Sequence, residues 1–66
     1  MDYYTIQLVE AWIRLRWDEL RKAQPPKEFL SSLLMEGSEK FKLTESSIYS
    51  IITSMRKRNR LHYGSD

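Results

Sequence analysis

A cluster of basic side chains near the C-terminal end is the most concentrated charge in this sequence. Residues 55–66 hold four basic side chains and one acidic, whereas residues 1–54 hold seven basic and eight acidic. The four basic residues are Arg56, Lys57, Arg58 and Arg60. The whole-chain net charge of +2 is therefore a local feature. Such a concentration predicts a partner of opposite charge: nucleic acid, an acidic protein face or an anionic membrane surface.

The segment that carries these cations also has a polar face rich in hydroxyl groups. On a helix, the hydrophobic residues Ile48, Ile51, Ile52 and Met55 fall on one side. The other side carries Ser46, Tyr49, Ser50, Thr53, Arg56, Lys57 and Arg60. Small hydroxyl side chains allow another molecule to approach closely, and cations hold phosphate groups.

Both features also have a purely structural explanation, which the sequence leaves open. Basic residues in the last turn stabilise a helix through its dipole, whatever else they contact. A serine-rich face is equally typical of solvated surface. The single histidine, His62, is expected to be incidental or a phosphate contact.

Catalysis is not expected from this composition. A single histidine and no cysteine leave Ser-His and Cys-His nucleophilic pairs without an orienting frame, and one chain cannot supply the ligands of a zinc site of the usual Cys/His kind. Its two glycines, Gly37 and Gly64, form no phosphate-binding loop. We therefore expect no catalytic residue, no metal, no cofactor and no enzymatic activity.

Three helices are predicted to position these residues, at about 4–23, 27–36 and 45–60. The Pro25-Pro26 pair ends the first helix, because neither ring tolerates a helix interior. Gly37 is predicted to stop the second helix. Residues 38–43 are predicted as a loop or short extended piece whose two hydrophobic side chains turn inward. Thr44 is a good N-cap for the third helix.

The first helix carries more hydrophobic surface than one small core usually needs. One stripe consists of Ile6, Val9, Ile13, Trp17 and Leu20, at spacings of three and four. A second line consists of Tyr4, Leu8 and Leu15, with Trp12 between the two stripes. We predict a homodimer or partner interface at Tyr4, Leu8, Trp12 and Leu15. The alternative is that a small core wraps further around its longest helix.

Length and composition fit a single helical domain over residues 1–66. The chain is 41% hydrophobic and 30% charged, as folded domains are. A chain this short buries only about 60% of its unfolded surface, and disulfides are excluded, so oligomerisation is the expected route to stability. No apolar run is long enough for a membrane span, and a cytoplasmic or nucleoid-associated location is expected.

The stretch LTESSIYSIITSMRKRNRLHY, residues 43–63, resembles the recognition-helix region of winged-helix and helix-turn-helix DNA-binding proteins. The matching positions are Leu43, Thr44, Ile48, Ile52, Met55 and Leu61. They supply the leading leucine, the cap, the aliphatic positions and the apolar residue after a basic helix end. The resemblance covers about one third of the chain. It implies an all-α, three-helix domain of helix-turn-helix type, with a short C-terminal extended tail or a reduced wing.

This resemblance predicts a small protein that binds double-stranded DNA as a transcriptional or recombination accessory regulator. In the major groove, Ser46, Tyr49, Ser50 and Thr53 would face base edges or the nearby backbone. Arg56, Lys57 and Arg60 would hold phosphates. A dimer would present two such helices to two half-sites.

The alternative prediction is a small helical adaptor or inhibitor, of a kind common among viral and mobile-element proteins. It would bind a protein partner through the apolar and aromatic face of the first helix. Attachment to anionic membranes is less favoured, because the third helix has a small polar face rather than bulky apolar anchors.

Overall fold

The computed structural model describes residues 2–58. Three helices account for most of them: α1 (Tyr3–Ala23), α2 (Pro26–Phe41) and α3 (Glu45–Lys57). Each helix packs against the other two, and no strand occurs within the described range. The predicted all-α class with three helices is confirmed for this range. The predicted tail or wing and the last residues of the predicted third helix lie outside it.

Both ends of α1 lie where the sequence predicts them, to within one residue. Asp2 is the N-cap, and its Oδ1 accepts a hydrogen bond from the Thr5 N–H at 2.7 Å. This hydrogen bond to the Thr5 backbone lowers the pKa of the Asp2 carboxyl. At the other end, Gln24 donates its N–H to the Leu20 carbonyl at 2.9 Å, just before the two prolines.

One hydrophobic core lies between the three helices. Its buried members are Val9, Ile13, Trp17, Leu20, Phe29, Leu33, Ile48, Ile51, Ile52 and Met55. The predicted stripes of α1 and α3 are thus confirmed, apart from Ile6, which is half-buried. The rings of Trp17 and Phe29 pack edge to face at 5.0 Å between centroids. Such pairs add to the stability gained from burial alone.

The prediction that Gly37 ends α2 is wrong. The helix continues to Phe41, and its C-cap is Lys42, whose φ of 57° is left-handed. A Cβ on Gly37 would lie 3.0 Å from Trp12 Cζ3 and 3.3 Å from Ile48 Cγ2. At Gly37, α2 therefore lies close to both α1 and α3, and local sequence signals do not distinguish this role from a helix stop.

The connection between α2 and α3 is correspondingly shorter than predicted. Only residues 42–44 separate the two helices, and residues 38–41 are helical instead of forming a loop. The turn is closed by two contacts of Ser38, which accepts the Leu43 N–H at its carbonyl at 3.2 Å and donates its hydroxyl to the Leu43 carbonyl at 2.6 Å. Phe41 and Leu43 pack against the core, as predicted.

Candidate functional site

The start of α3 is fixed by its cap. Thr44 Oγ1 accepts the Ser47 N–H at 3.1 Å and donates to Ser47 Oγ at 3.0 Å. The prediction of Thr44 as N-cap is confirmed. Because α3 starts in one register, the side chains that follow are held at defined angles around its axis.

Six of the seven predicted contact residues of α3 share one outward face. Ser46, Ser50 and Lys57 are exposed and Thr53 is half-buried, at positions alternately four and three apart. Tyr49 and Arg56 are exposed beside this line. We call these six residues the α3 outer face. The seventh predicted residue, Arg60, lies outside the described residues.

The α3 outer face changes character along its length. Its N-terminal half carries hydroxyl groups, and its last turn carries Arg56 and Lys57. The only acidic residue in α3 is Glu45, in the first turn. The positive potential therefore increases toward the C-terminal end of the helix.

Arg58, the third residue of the basic cluster, turns back onto the fold. Its Nη2 donates to Glu10 Oε2 on α1 at 2.7 Å, and its Nε donates to the Ser54 carbonyl at 3.3 Å. The Glu10 side chain is only 13% exposed, whereas that of Arg58 is 49% exposed. This ion pair joins the end of α3 to α1. No sequence pattern predicts it, because the two residues lie 48 positions apart.

A groove runs between α1 and α3, beside the α3 outer face. It encloses about 320 Å³ and is lined by Ile6, Glu10, Ser47, Ser50, Ile51 and Ser54. A second cleft of about 190 Å³ continues along α1 past Glu10 and Arg58 to Tyr3 and Arg14. Ser50 belongs to both the groove and the outer face, so a molecule bound to that face would also reach the groove.

A bidentate ion pair fixes the opposite flank of α1. Arg16 donates from Nε and Nη2 to the two carboxylate oxygens of Glu36 on α2, at 2.9 and 3.0 Å. Its Nη1 also donates to Glu19 at 3.1 Å. These hydrogen bonds raise the pKa of the Arg16 guanidinium, and the bonds to Glu36 have the larger effect. The α1 helix is thus attached to α2 on one flank and to α3 on the other.

The predicted interface residues of α1 divide into two groups. Tyr4, Leu8 and Leu15 are 69%, 46% and 72% exposed, so none of the three belongs to the core. Trp12 is half-buried, and its ring meets that of Phe41 edge to face at 5.7 Å. Trp12 therefore packs against the core at the border of an exposed apolar line.

Two other kinds of feature are absent from the described part of the chain. Among residues 2–58, no group of His, Cys, Asp and Glu side chains is arranged to hold a metal ion. No helix of that range combines the length and the apolar character needed to cross a membrane. Comparisons with protein-family models, curated proteins and solved structures found no match.

Proposed function

We propose that this protein binds double-stranded DNA through the α3 outer face and acts as a small transcriptional or recombination accessory regulator. The observation that carries the proposal is the line of Ser46, Ser50 and Lys57, exposed on one side of α3 with the half-buried Thr53 among them. A helix with short side chains on its outer side fits the major groove, which is about 12 Å wide.

The hydroxyl-bearing half of the face is suited to base edges. Serine and threonine hydroxyls both donate and accept, so Ser46 and Ser50 can pair with either type of group on a base. Tyr49 extends further and can reach the sugar-phosphate backbone. In helices that enter the major groove, residues of the N-terminal part commonly make the base contacts.

The cationic half is suited to phosphates. Arg56 and Lys57 lie in the last turn, and Arg60 follows in the sequence. Arg58 contributes less, because Glu10 already holds its guanidinium. With about three phosphates neutralised per chain, the logarithm of the binding constant should fall with the logarithm of salt concentration with a slope of about −2.7.

The connection before α3 supports the same proposal. Three residues, 42–44, join α2 to α3, and a turn of about three or four residues is typical of a helix-turn-helix motif. Five of the positions that carry the resemblance lie in the described range: Ile48, Ile52 and Met55 are buried, Leu43 packs against the core, and Thr44 is the exposed N-cap of α3. The exposed side of α3 that carries Ser46, Ser50 and Lys57 is not part of this packing.

Fluorescence anisotropy with a labelled duplex of mixed sequence tests the proposal. Binding should be measurable at about 50 mM salt and weaken steeply as salt is added. The variant Arg56→Ala/Lys57→Ala/Arg60→Ala should lose binding, whereas Lys27→Ala/Lys40→Ala, which removes cations from α2, should change the affinity by less than about threefold. Absence of wild-type binding at about 50 mM salt would overturn the proposal.

A second candidate function is favoured by the exposed side chains of α1. Tyr4, Leu8 and Leu15 could anchor the chain, as an adaptor or inhibitor, to a different protein. The two functions predict opposite sensitivities. Leu8→Asp or Leu15→Asp should abolish an adaptor activity that the α3 triple variant retains.

A further inference from the structure

The outer side of α1 presents side chains at alternating intervals of four and three residues. The members of this line are Tyr4, Leu8, Ala11, Leu15, Asp18 and Lys22. All six are exposed, so neither α2 nor α3 covers them. This spacing is that of the seam along which two helices pair in a coiled coil. We call the line the α1 seam.

We propose that the α1 seam is covered by the same seam of a second copy, with the two α1 helices antiparallel and Ala11 beside the twofold axis. In this pairing Leu8 packs against Leu15 of the second copy, and the symmetry repeats the contact. The small side chain of Ala11 allows the helix axes to approach to about 8–10 Å.

The charges at the ends of the seam select the antiparallel direction. A parallel pairing in register would place Asp18 against Asp18 and Lys22 against Lys22, with like charges in contact. The antiparallel pairing instead places the Tyr4 hydroxyl beside Asp18 and the Asp2 carboxylate beside Lys22. Lys22 then faces a carboxylate, and Asp18, which already pairs with Arg21 of its own helix at 3.8 Å, faces a hydroxyl donor; each contact occurs twice.

The antiparallel direction also determines where the two α3 helices lie. On α1, the flank with Glu10 holds α3 and the flank with Arg16 holds α2. A twofold axis perpendicular to two antiparallel helices keeps equivalent flanks on the same side of the pair. Both α3 helices therefore lie on one side of the dimer, whereas a parallel pair would place them on opposite sides.

The proposed dimer forms without DNA, but the role of the dimer in binding DNA depends on the proposed function. The inference that a dimer presents two α3 outer faces to one duplex rests on the proposed function. The seam spans about 27 Å from Tyr4 to Lys22, at 1.5 Å per residue. So narrow a strip buries less than the roughly 800 Å² per partner of a standard interface, so we expect a dissociation constant on the order of 10–100 μM.

Sedimentation equilibrium of the full chain, without DNA, tests the association. The average mass should rise from 8.0 kDa toward twice that value at high micromolar concentration. Leu15→Asp should keep the chain monomeric, with its helical circular dichroism unchanged because Leu15 is exposed. Met35→Asp is the matched control, because Met35 is 53% exposed on α2, away from the seam. This variant should dimerise as the wild type does.

A wild-type chain that remains monomeric at high micromolar concentration would overturn the inference. It would leave the proposed function standing if the monomer still bound duplex in a salt-dependent way. Conversely, a dimer that bound no duplex would support the inference and overturn the proposed function.

Disulfide trapping tests the direction of the helices, since the natural chain has no cysteine. Leu8→Cys mixed with Leu15→Cys should give the mixed disulfide on oxidation, because only the antiparallel pairing brings these positions within the roughly 4.4–6.8 Å that a disulfide requires between Cα atoms. Leu15→Cys alone should remain reduced. Efficient trapping of Leu15→Cys with itself would show a parallel pair and overturn the proposed arrangement.

Discussion

Arg58 Nη2 lies 2.7 Å from Glu10 Oε2, and this contact fixes the end of α3 to the middle of α1. The same arginine donates its backbone N–H to the carbonyls of Ser54 and Met55, each at 3.2 Å. A residue of the basic cluster thus orients the helix, while Arg56 and Lys57 extend from its exposed side. The ion pair holds the α3 outer face at a fixed angle to the core.

Replacing Glu10 by glutamine should lower stability without changing the fold. The substitution keeps the side-chain size and removes the charge that attracts Arg58. Because Arg58 is half exposed, solvent screens the pair, and the free energy of unfolding should fall by only about 0.5–1 kcal/mol. Urea denaturation measures this, with Glu39→Gln as the control at an exposed carboxylate of α2. Equal stability of the two variants would show that the pair contributes nothing.

Gly37→Ala should destabilise the protein, although helix propensity alone predicts the opposite. Alanine in a helix interior is favoured over glycine by about 1 kcal/mol. Here the added Cβ would lie 3.0 Å from Trp12 Cζ3, and the Trp12 ring is already packed against Phe41. Overpacking of this kind costs about 1–3 kcal/mol, so we expect a net loss of about 1 kcal/mol.

The comparison for Gly37→Ala is Ser31→Ala, at an exposed position of the same helix. That variant should be as stable as the wild type or slightly more stable, by up to about 0.5 kcal/mol. Chemical denaturation of both variants measures the difference. A Gly37→Ala protein more stable than the wild type would contradict the close approach of α2 to Trp12 and Ile48.

The charge on Asp2 should make stability depend on pH in the acid range. The Thr5 N–H holds the pKa of Asp2 below its ordinary 3.8 in the folded chain. Ionised Asp2 therefore stabilises the fold fully above about pH 3.8, and the contribution is lost as the pH falls through the folded value. Asp2→Asn keeps a good N-cap without the charge.

Urea midpoints of the wild type and Asp2→Asn measure this contribution. The wild type should be the more stable at pH 7, and the difference should shrink as the pH is lowered below about 4. The two proteins differ only at residue 2, so the difference between their midpoints isolates Asp2. A difference that stays constant down to about pH 2 would contradict the role of the Asp2 charge.

A negative charge on the α3 outer face should weaken duplex binding without disturbing the fold. Ser50 is exposed in the middle of this face, so Ser50→Asp would place a carboxylate where the DNA is proposed to lie. We expect at least about a tenfold loss of affinity at low salt. Ser31→Asp, at an exposed position of α2, carries the same change in net charge and should bind within about threefold of the wild type. Equal losses of affinity in the two variants would show that net charge, and not the position on α3, causes the loss.

Hydrophobic spacing predicted the helices and most of the core, because burial follows local periodicity. Val9, Ile13 and Trp17 recur every four residues, and this pattern alone predicts their common buried side. The sequence alone misplaces the end of α2 at Gly37, because a helix stop and a close helix contact both favour glycine. Only the packing of Trp12 and Ile48 around it distinguishes the two.

Only part of the candidate site is predictable from the sequence, because the rest depends on contacts between helices. Ser46, Ser50 and Lys57 share an exposed side of one helix, which sequence spacing defines. The pairing of Arg58 with Glu10 depends on how α1 and α3 cross, so the sequence alone does not show that Arg58 turns inward. The groove beside Ser50 depends on the same crossing.

Amide chemical shifts during a titration with duplex DNA test the central claim most directly. Addition of an unlabelled duplex to ¹⁵N-labelled protein at low salt should shift the resonances of Ser46, Ser50, Thr53 and Lys57 most strongly. Exposed residues of α2, such as Ser31 and Glu39, should remain unchanged and serve as the internal reference. A titration in which no resonance moves, or in which the shifts fall on α1 or α2 and spare α3, would contradict DNA binding through the α3 outer face.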